Sequence, residues 1–131
     1  MPTLWKGVYN KMRTVKYRGL SVMGEWFYGY PCIPEYGNYA GHSFILGKTG
    51  NLAYEIRPET LGEFTGLLDK QGKEIYEGDI LRWEGEEIFI DAVSWHDEYA
   101  EWWVNGISLW EELKGEVKVI GNIYENKELL E

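Results

Sequence analysis

The chain has one cysteine, Cys32, and two histidines among its 131 residues. A lone thiol cannot staple its own chain, so a disulfide framework is excluded and a reducing cytoplasm is the expected compartment. The same scarcity removes the close Cys/His clusters that zinc sites require, and no metal or other cofactor is expected. Apolar runs are short, far below the roughly eighteen residues of a membrane helix. Met1 to Lys6 carries no apolar signal core behind its basic residues, so no membrane partner is expected.

Positive charge is scarce in one half only. Residues 1–62 hold seven Lys/Arg against four Glu, a net of +3, whereas residues 63–131 hold six Lys/Arg against eighteen Asp/Glu, a net of −12. Such asymmetry speaks to partners rather than to fold. Either opposite halves attract, within one molecule or between copies, or an acidic surface meets a basic partner. Lys6 to Arg18 has five positive charges and no negative one. That density suits phosphate contacts, but it falls short of a nucleic-acid domain. Val15-Lys16-Tyr17-Arg18 alternates as a strand with a solvated face does.

What the chain has in excess is aromatic: 16% of residues, with Trp 7 and Tyr 10, beside Gly 16. Aromatics and glycines favour short strands and tight turns over helices. At 131 residues the chain is about one domain.

The run Phe64 to Trp83 predicts strand, turn, short strand, tight turn, strand. Asp69 to Gly72 and Gly78-Asp79 are its turns, with Gly66, Gly72 and Gly78 where turns demand glycine. Before it, Gly19 to Gly24 reads as a hairpin loop. In the strand that follows, Trp26, Tyr28 and Tyr30 share a face expected to be the core side of a sheet. Pro31 to Gly41 reads as loop. Ser43 to Leu46 and Leu52 to Ile56 make a second hairpin, and Pro58 to Leu61 one helical turn. Gly47-Lys48-Thr49 mimics the end of a phosphate loop, but its required upstream glycine is replaced by His42.

After the run, Glu84 to Glu87 is an acidic turn. Ile88 to Trp95 reads as one long strand, covered on both faces at its start as in a small barrel. His96-Asp97-Glu98 reads as a solvated turn and Asn105-Gly106 as another turn. Leu109 to Leu113 is either a helical turn or an edge strand. Glu116 to Tyr124 closes the fold, with Val117, Val119, Gly121 and Ile123 on one face.

Two strings, 62–83 and 116–130, resemble the YopX family of small phage and prophage proteins. Within them stand Phe64-Thr65-Gly66-Leu67-Leu68-Asp69, Glu74-Ile75-Tyr76-Glu77-Gly78-Asp79 and Glu116-Val117-Lys118-Val119-Ile120-Gly121-Asn122-Ile123-Tyr124. Lys16 to Gly19 and Gly24 to Tyr30 are similar to the N-terminal part of one subgroup, while Lys127 stands where many relatives have proline. The resemblance implies a mainly β fold of short antiparallel strands, with an SH3-like small barrel in the C-terminal half, and a bacterial host cell as its setting. A single domain over 1–131 is expected, with an N-terminal β-hairpin lobe at 1–61 and the barrel lobe at 62–131. The resemblance brings no established molecular function.

Catalysis is not expected. Nucleophilic chemistry needs a hydroxyl or thiol beside a base, and Cys32, between prolines, has no local partner. The eighteen carboxylates of the second half nominate no pair by spacing. The unusual feature is Trp102-Trp103, followed by Trp110. Adjacent strand residues face opposite sides, so either both faces are covered or one tryptophan meets a partner or a second subunit. The expected function is a non-enzymatic protein-binding or self-assembling module, a homo-oligomer or a ligand of a host or phage protein. The rival reading is nucleic-acid-linked: an acidic DNA-mimic decoy, or a DNA binder through the basic arm.

Overall fold

A computed structural model of the chain describes residues 14–47 and 52–131. These form twelve strands and one short helix: β1 Tyr17–Leu20, β2 Trp26–Cys32, β3 Ser43–Leu46, β4 Ala53–Ile56, β5 Gly62–Leu68, β6 Glu74–Tyr76, β7 Asp79–Glu84, β8 Ile88–Ala92, β9 Ser94–His96, β10 Glu101–Val104, β11 Ile107–Ser108, α1 Leu109–Glu112 and β12 Glu116–Asn122. Strand pairings are antiparallel, and the fold is mainly β. Among the described residues, no helix is long and apolar enough to cross a membrane.

A six-stranded sheet has the order β4-β3-β2-β1-β5-β6. Its β1–β5 pairing, Tyr17 opposite Glu63, joins the two halves of the chain through backbone hydrogen bonds. Pro58–Thr60 forms the expected helical turn, and Thr60 Oγ1 accepts the buried Leu20 N–H at 2.9 Å. The run from 62 to 84 folds as its turn residues dictate. Gly72 and Gly78 have φ of +83° and +89°, in the region glycine enters without steric cost. Asp69 locks the first turn: Oδ1 accepts the Gln71 and Lys73 N–H groups, each at 2.8 Å, and Oδ2 reaches Val119 N–H at 2.9 Å.

The barrel does not close among the described residues. Strands after β6 divide into two three-stranded sheets, β12-β7-β8 and β11-β10-β9. The predicted long strand 88–95 is therefore two strands, broken at Val93. Its N–H donates to Asp79 O at 2.8 Å and its carbonyl accepts Gly78 N–H at 3.0 Å, so Val93 is tied to a turn instead of a ladder. Nor is the start of that strand covered twice. Phe89 packs on Trp83 with ring centroids 5.5 Å apart, while Ile88 and Ile90 are 59% and 40% exposed. A bulge between Val119 and Gly121 likewise interrupts the single face expected for β12.

Two further expectations are reversed in the six-stranded sheet. The core side of β2 is that of Phe27 and Gly29: Phe27 stacks on Tyr54 at 4.0 Å, while Tyr28 and Tyr30 are exposed. The Lys16/Arg18 face is not solvated. Arg18 is buried and ion-paired to Asp79 at 2.8 Å, and its guanidinium lies over the rings of Trp26 at 4.5 Å and Tyr76 at 4.9 Å. Lys16 pairs with Glu74 at 2.6 Å. Lys6, Lys11 and Arg13, the rest of the basic arm, lie outside the described residues, as do Lys48 and Thr49.

The core that supports the second half gathers Ile75, Leu81, Val93, Trp102, Val104, Leu109 and Val117. It seals β6, β7 and β12 against the β9–β11 sheet.

Candidate functional site

The β9–β10 hairpin sets Trp95 directly opposite Trp102. Directly paired residues point to the same side of a sheet, and the two indoles meet at 5.0 Å with their planes 70° apart. Trp102 reaches into the core and is 8% exposed; Trp95, nearer the rim, is 42% exposed. Asn105 and Gly106, with φ of +52° and +75°, then turn the chain into β11. Helix α1 follows, burying Leu109 and leaving the next residue, Trp110, 61% exposed.

Between these elements and β5 runs an open groove of about 230 Å³, lined by Thr65, Leu67, Trp95, Glu101, Trp102 and Trp110 among others. Thr65 is fixed by its own hydroxyl, which donates to Ile75 O at 2.8 Å and accepts Leu67 N–H at 3.1 Å. Glu101 is held as firmly: its carboxylate accepts the Trp103 indole N–H at 2.8 Å and the Ser108 hydroxyl at 3.3 Å. Ser108 also lines the groove, so the carboxylate's charge stands at its wall. Glu112, on the same helix, lines a separate hollow with Trp83 and Val117, and burial pushes its carboxyl above its ordinary value.

The three tryptophans singled out by sequence thus have three different situations. Trp102 is core and groove floor, and Trp110 is the open lip. Trp103 lies across the strand, half-buried, with its ring 3.9 Å from His96 and stacked on Tyr99 at 5.5 Å. Its face is covered by local rings rather than by a second sheet. His96 accordingly ends β9 half-buried instead of standing in a solvated turn; the turn is Asp97 to Ala100. Trp95 completes the groove and was not singled out. The signal for it was present, since folding the chain back at Asp97-Glu98 brings Trp95 level with Trp102. Cys32 is free, half-buried, and lines a separate hollow with Pro34, Tyr39 and Phe44.

The fold and groove define a small antiparallel β protein that presents aromatic surface beside fixed negative charge. The chain belongs to the YopX family: the family model described as "YopX protein" matches residues 5–131. It is also similar in fold to a solved structure, the crystal structure of protein EF1440 from Enterococcus faecalis. The TM-score is 0.61 at 22% identity, covering 92% of this chain and 100% of the other. No curated protein matches the chain.

Proposed function

We propose that this protein is a non-enzymatic module of phage or prophage origin that binds another protein chain through the tryptophan groove. The observation that carries this reading is the exposure of Trp110 and Trp95 on the lips of a formed groove, where burying them returns their hydration free energy. Tryptophan is also the residue type that most often dominates interface energetics, typically near the interface centre. Glu101, the carboxylate at the wall, is held in place by two donors. Of the basic arm, Lys16 and Arg18 are engaged by Glu74 and Asp79, so these two residues give a DNA-binding reading no support.

The test compares wild type with Trp110→Ala in two measurements. Sedimentation over a range of concentrations reads self-association, and capture from prophage-carrying cells after nuclease treatment reads partner binding. The reading requires the variant to keep the wild-type circular dichroism and to lose either the larger species or the captured protein. A variant that behaves as wild type in both measurements refutes it.

A further inference from the structure

Residues 94–112, which build most of the groove, carry Asp97, Glu98, Glu101, Glu111 and Glu112 and neither lysine nor arginine. Lys114 follows but is paired to Glu111 at 2.9 Å. The groove therefore combines two features that one chemical group satisfies together. Indole faces carry the negative side of the ring quadrupole; Trp95 and Trp102 meet edge to face at 70°, and Trp95 and Trp110, 42% and 61% exposed, are the rings open to a ligand. Glu101 adds a full negative charge at the wall, with about two of its four lone-pair positions still open beyond the bonds to Trp103 and Ser108. A neutral apolar side chain would desolvate that carboxylate and bring no counter-charge, which is unfavourable. A cationic one answers both.

We propose that the groove recognises an arginine or lysine side chain on a basic segment of a partner protein, which rests on the binding-module reading above and specifies its ligand. Arginine is favoured over lysine, because its planar guanidinium stacks on an indole while donating to a carboxylate. The chain already uses this chemistry internally, where Arg18 lies between the rings of Trp26 and Tyr76 and donates to Asp79. A different protein, not a second copy, is the occupant: a net charge of −9 opposes self-association and attracts a basic partner.

The probe is a short Gly/Arg peptide beside its Gly/citrulline twin, which keeps the shape and removes the charge. Binding is followed by tryptophan fluorescence at near-physiological salt. The Arg peptide should quench saturably and the citrulline twin should bind about tenfold more weakly. Trp110→Ala and Trp95→Ala should each weaken the Arg peptide by a similar factor, and Glu101→Gln should bring the two peptides close to parity. Circular dichroism of each variant guards against simple misfolding, and Trp110, being exposed, is the substitution least able to cause it. Equal binding of the twins overturns the proposal. So does Arg-peptide binding that Trp110→Ala leaves unchanged, which would mark a diffuse acidic surface. Loss of a captured partner in Trp110→Ala together with equal twins would keep the binding module and discard the cation; unchanged capture and mass would discard both.

Discussion

Replacing Asp79 by Asn removes one charge from the buried pair with Arg18 without changing the shape of the side chain. The side chains of Arg18 and Asp79 are 7% and 3% exposed, so the guanidinium would stay buried against a neutral partner. Arginine cannot shed its proton. Breaking one member of a buried pair costs about 3–5 kcal/mol, a large share of the roughly 5–15 kcal/mol that holds a domain folded. At a urea slope near 2 kcal/mol per molar, a loss of about 4 kcal/mol lowers the midpoint by about 2 M. Arg18→Met should behave differently, because Asp79 can neutralise itself. Burial already holds the Asp79 carboxyl above its ordinary value, against the opposing pull of Arg18 and then of the Tyr76 N–H. Deleting Arg18 removes the larger of these restraints. A carboxyl whose folded value is raised contributes stability that is complete below the unfolded value near 3.9 and lost as pH rises through the folded value. Arg18→Met should therefore lose up to about 1.4 kcal/mol per pH unit across that window and recover on acidification, while Asp79→Asn, with no carboxyl left to titrate there, should depend on pH less than wild type does. Urea unfolding followed by tryptophan fluorescence from about pH 5 to about pH 8 separates the two. An Arg18→Met curve parallel to wild type, or an unmoved Asp79→Asn midpoint, would refute the reasoning.

Asp69→Ala removes the acceptor of three backbone N–H groups and should cost about 3–4 kcal/mol in the same assay. Trp102→Ala, emptying the core beneath the groove, should cost about 3–5 kcal/mol, whereas Trp110→Ala should stay within about 0.5 kcal/mol of wild type; equal effects would contradict their assigned places. Gly29→Ala would set a Cβ 1.9 Å from Leu46 O and should open the β2–β3 pairing, while Gly66→Ala, at φ +84° with open space around it, should cost only about 1–2 kcal/mol. Thermal melts rank the two. The Tyr76 hydroxyl is held well above its ordinary value, by burial first and then by the Glu74 charge and hydrogen bond. Its contribution is complete below the unfolded value near 10 and lost as pH rises through the folded value. In an alkaline absorbance titration Tyr76→Phe should leave the early tyrosine transitions unchanged and lessen the late, unfolding-linked one.

Turns were the most legible part of the chain, because Asp, Asn and Gly specify backbone shape through their own few atoms. The stretch 62–84, the Asn105-Gly106 reversal and the helical turn at Pro58 needed no distant partner to be read. Alternation rules failed where the chain departs from their premise. Arg18 sits on the face its charge assigns to water because Asp79 and the rings of Trp26 and Tyr76 surround it, and Asp79 and Tyr76 are distant in sequence. Tyr28 and Tyr30 yield the core side of β2 to Gly29, whose missing side chain admits the Leu46 carbonyl. The strand 88–95 looked continuous because the break at Val93 is made by hydrogen bonds to Gly78 and Asp79, which no local pattern records. Of the groove, Trp102 and Trp110 were legible as unusual, but Trp95 required the hairpin register.

Fold and groove are built from the same run of residues, and this limits how they can be told apart. Thr65 and Leu67 of β5 line the groove, and the Thr65 hydroxyl that fixes them also ties β5 to β6. Two residues on, Asp69 fastens the following turn to β12, whose Val117 belongs to the same core cluster as Trp102. A substitution in this run must therefore disturb stability and groove shape together, and a loss of binding from it would be uninterpretable. Trp110 escapes the coupling: it lines the groove and stands largely in solvent, while Leu109, buried in the core, and Leu113, packed against it, anchor the helix. Binding lost on truncating Trp110 with the unfolding midpoint unchanged would locate function in the groove itself, independently of the scaffold that shapes it.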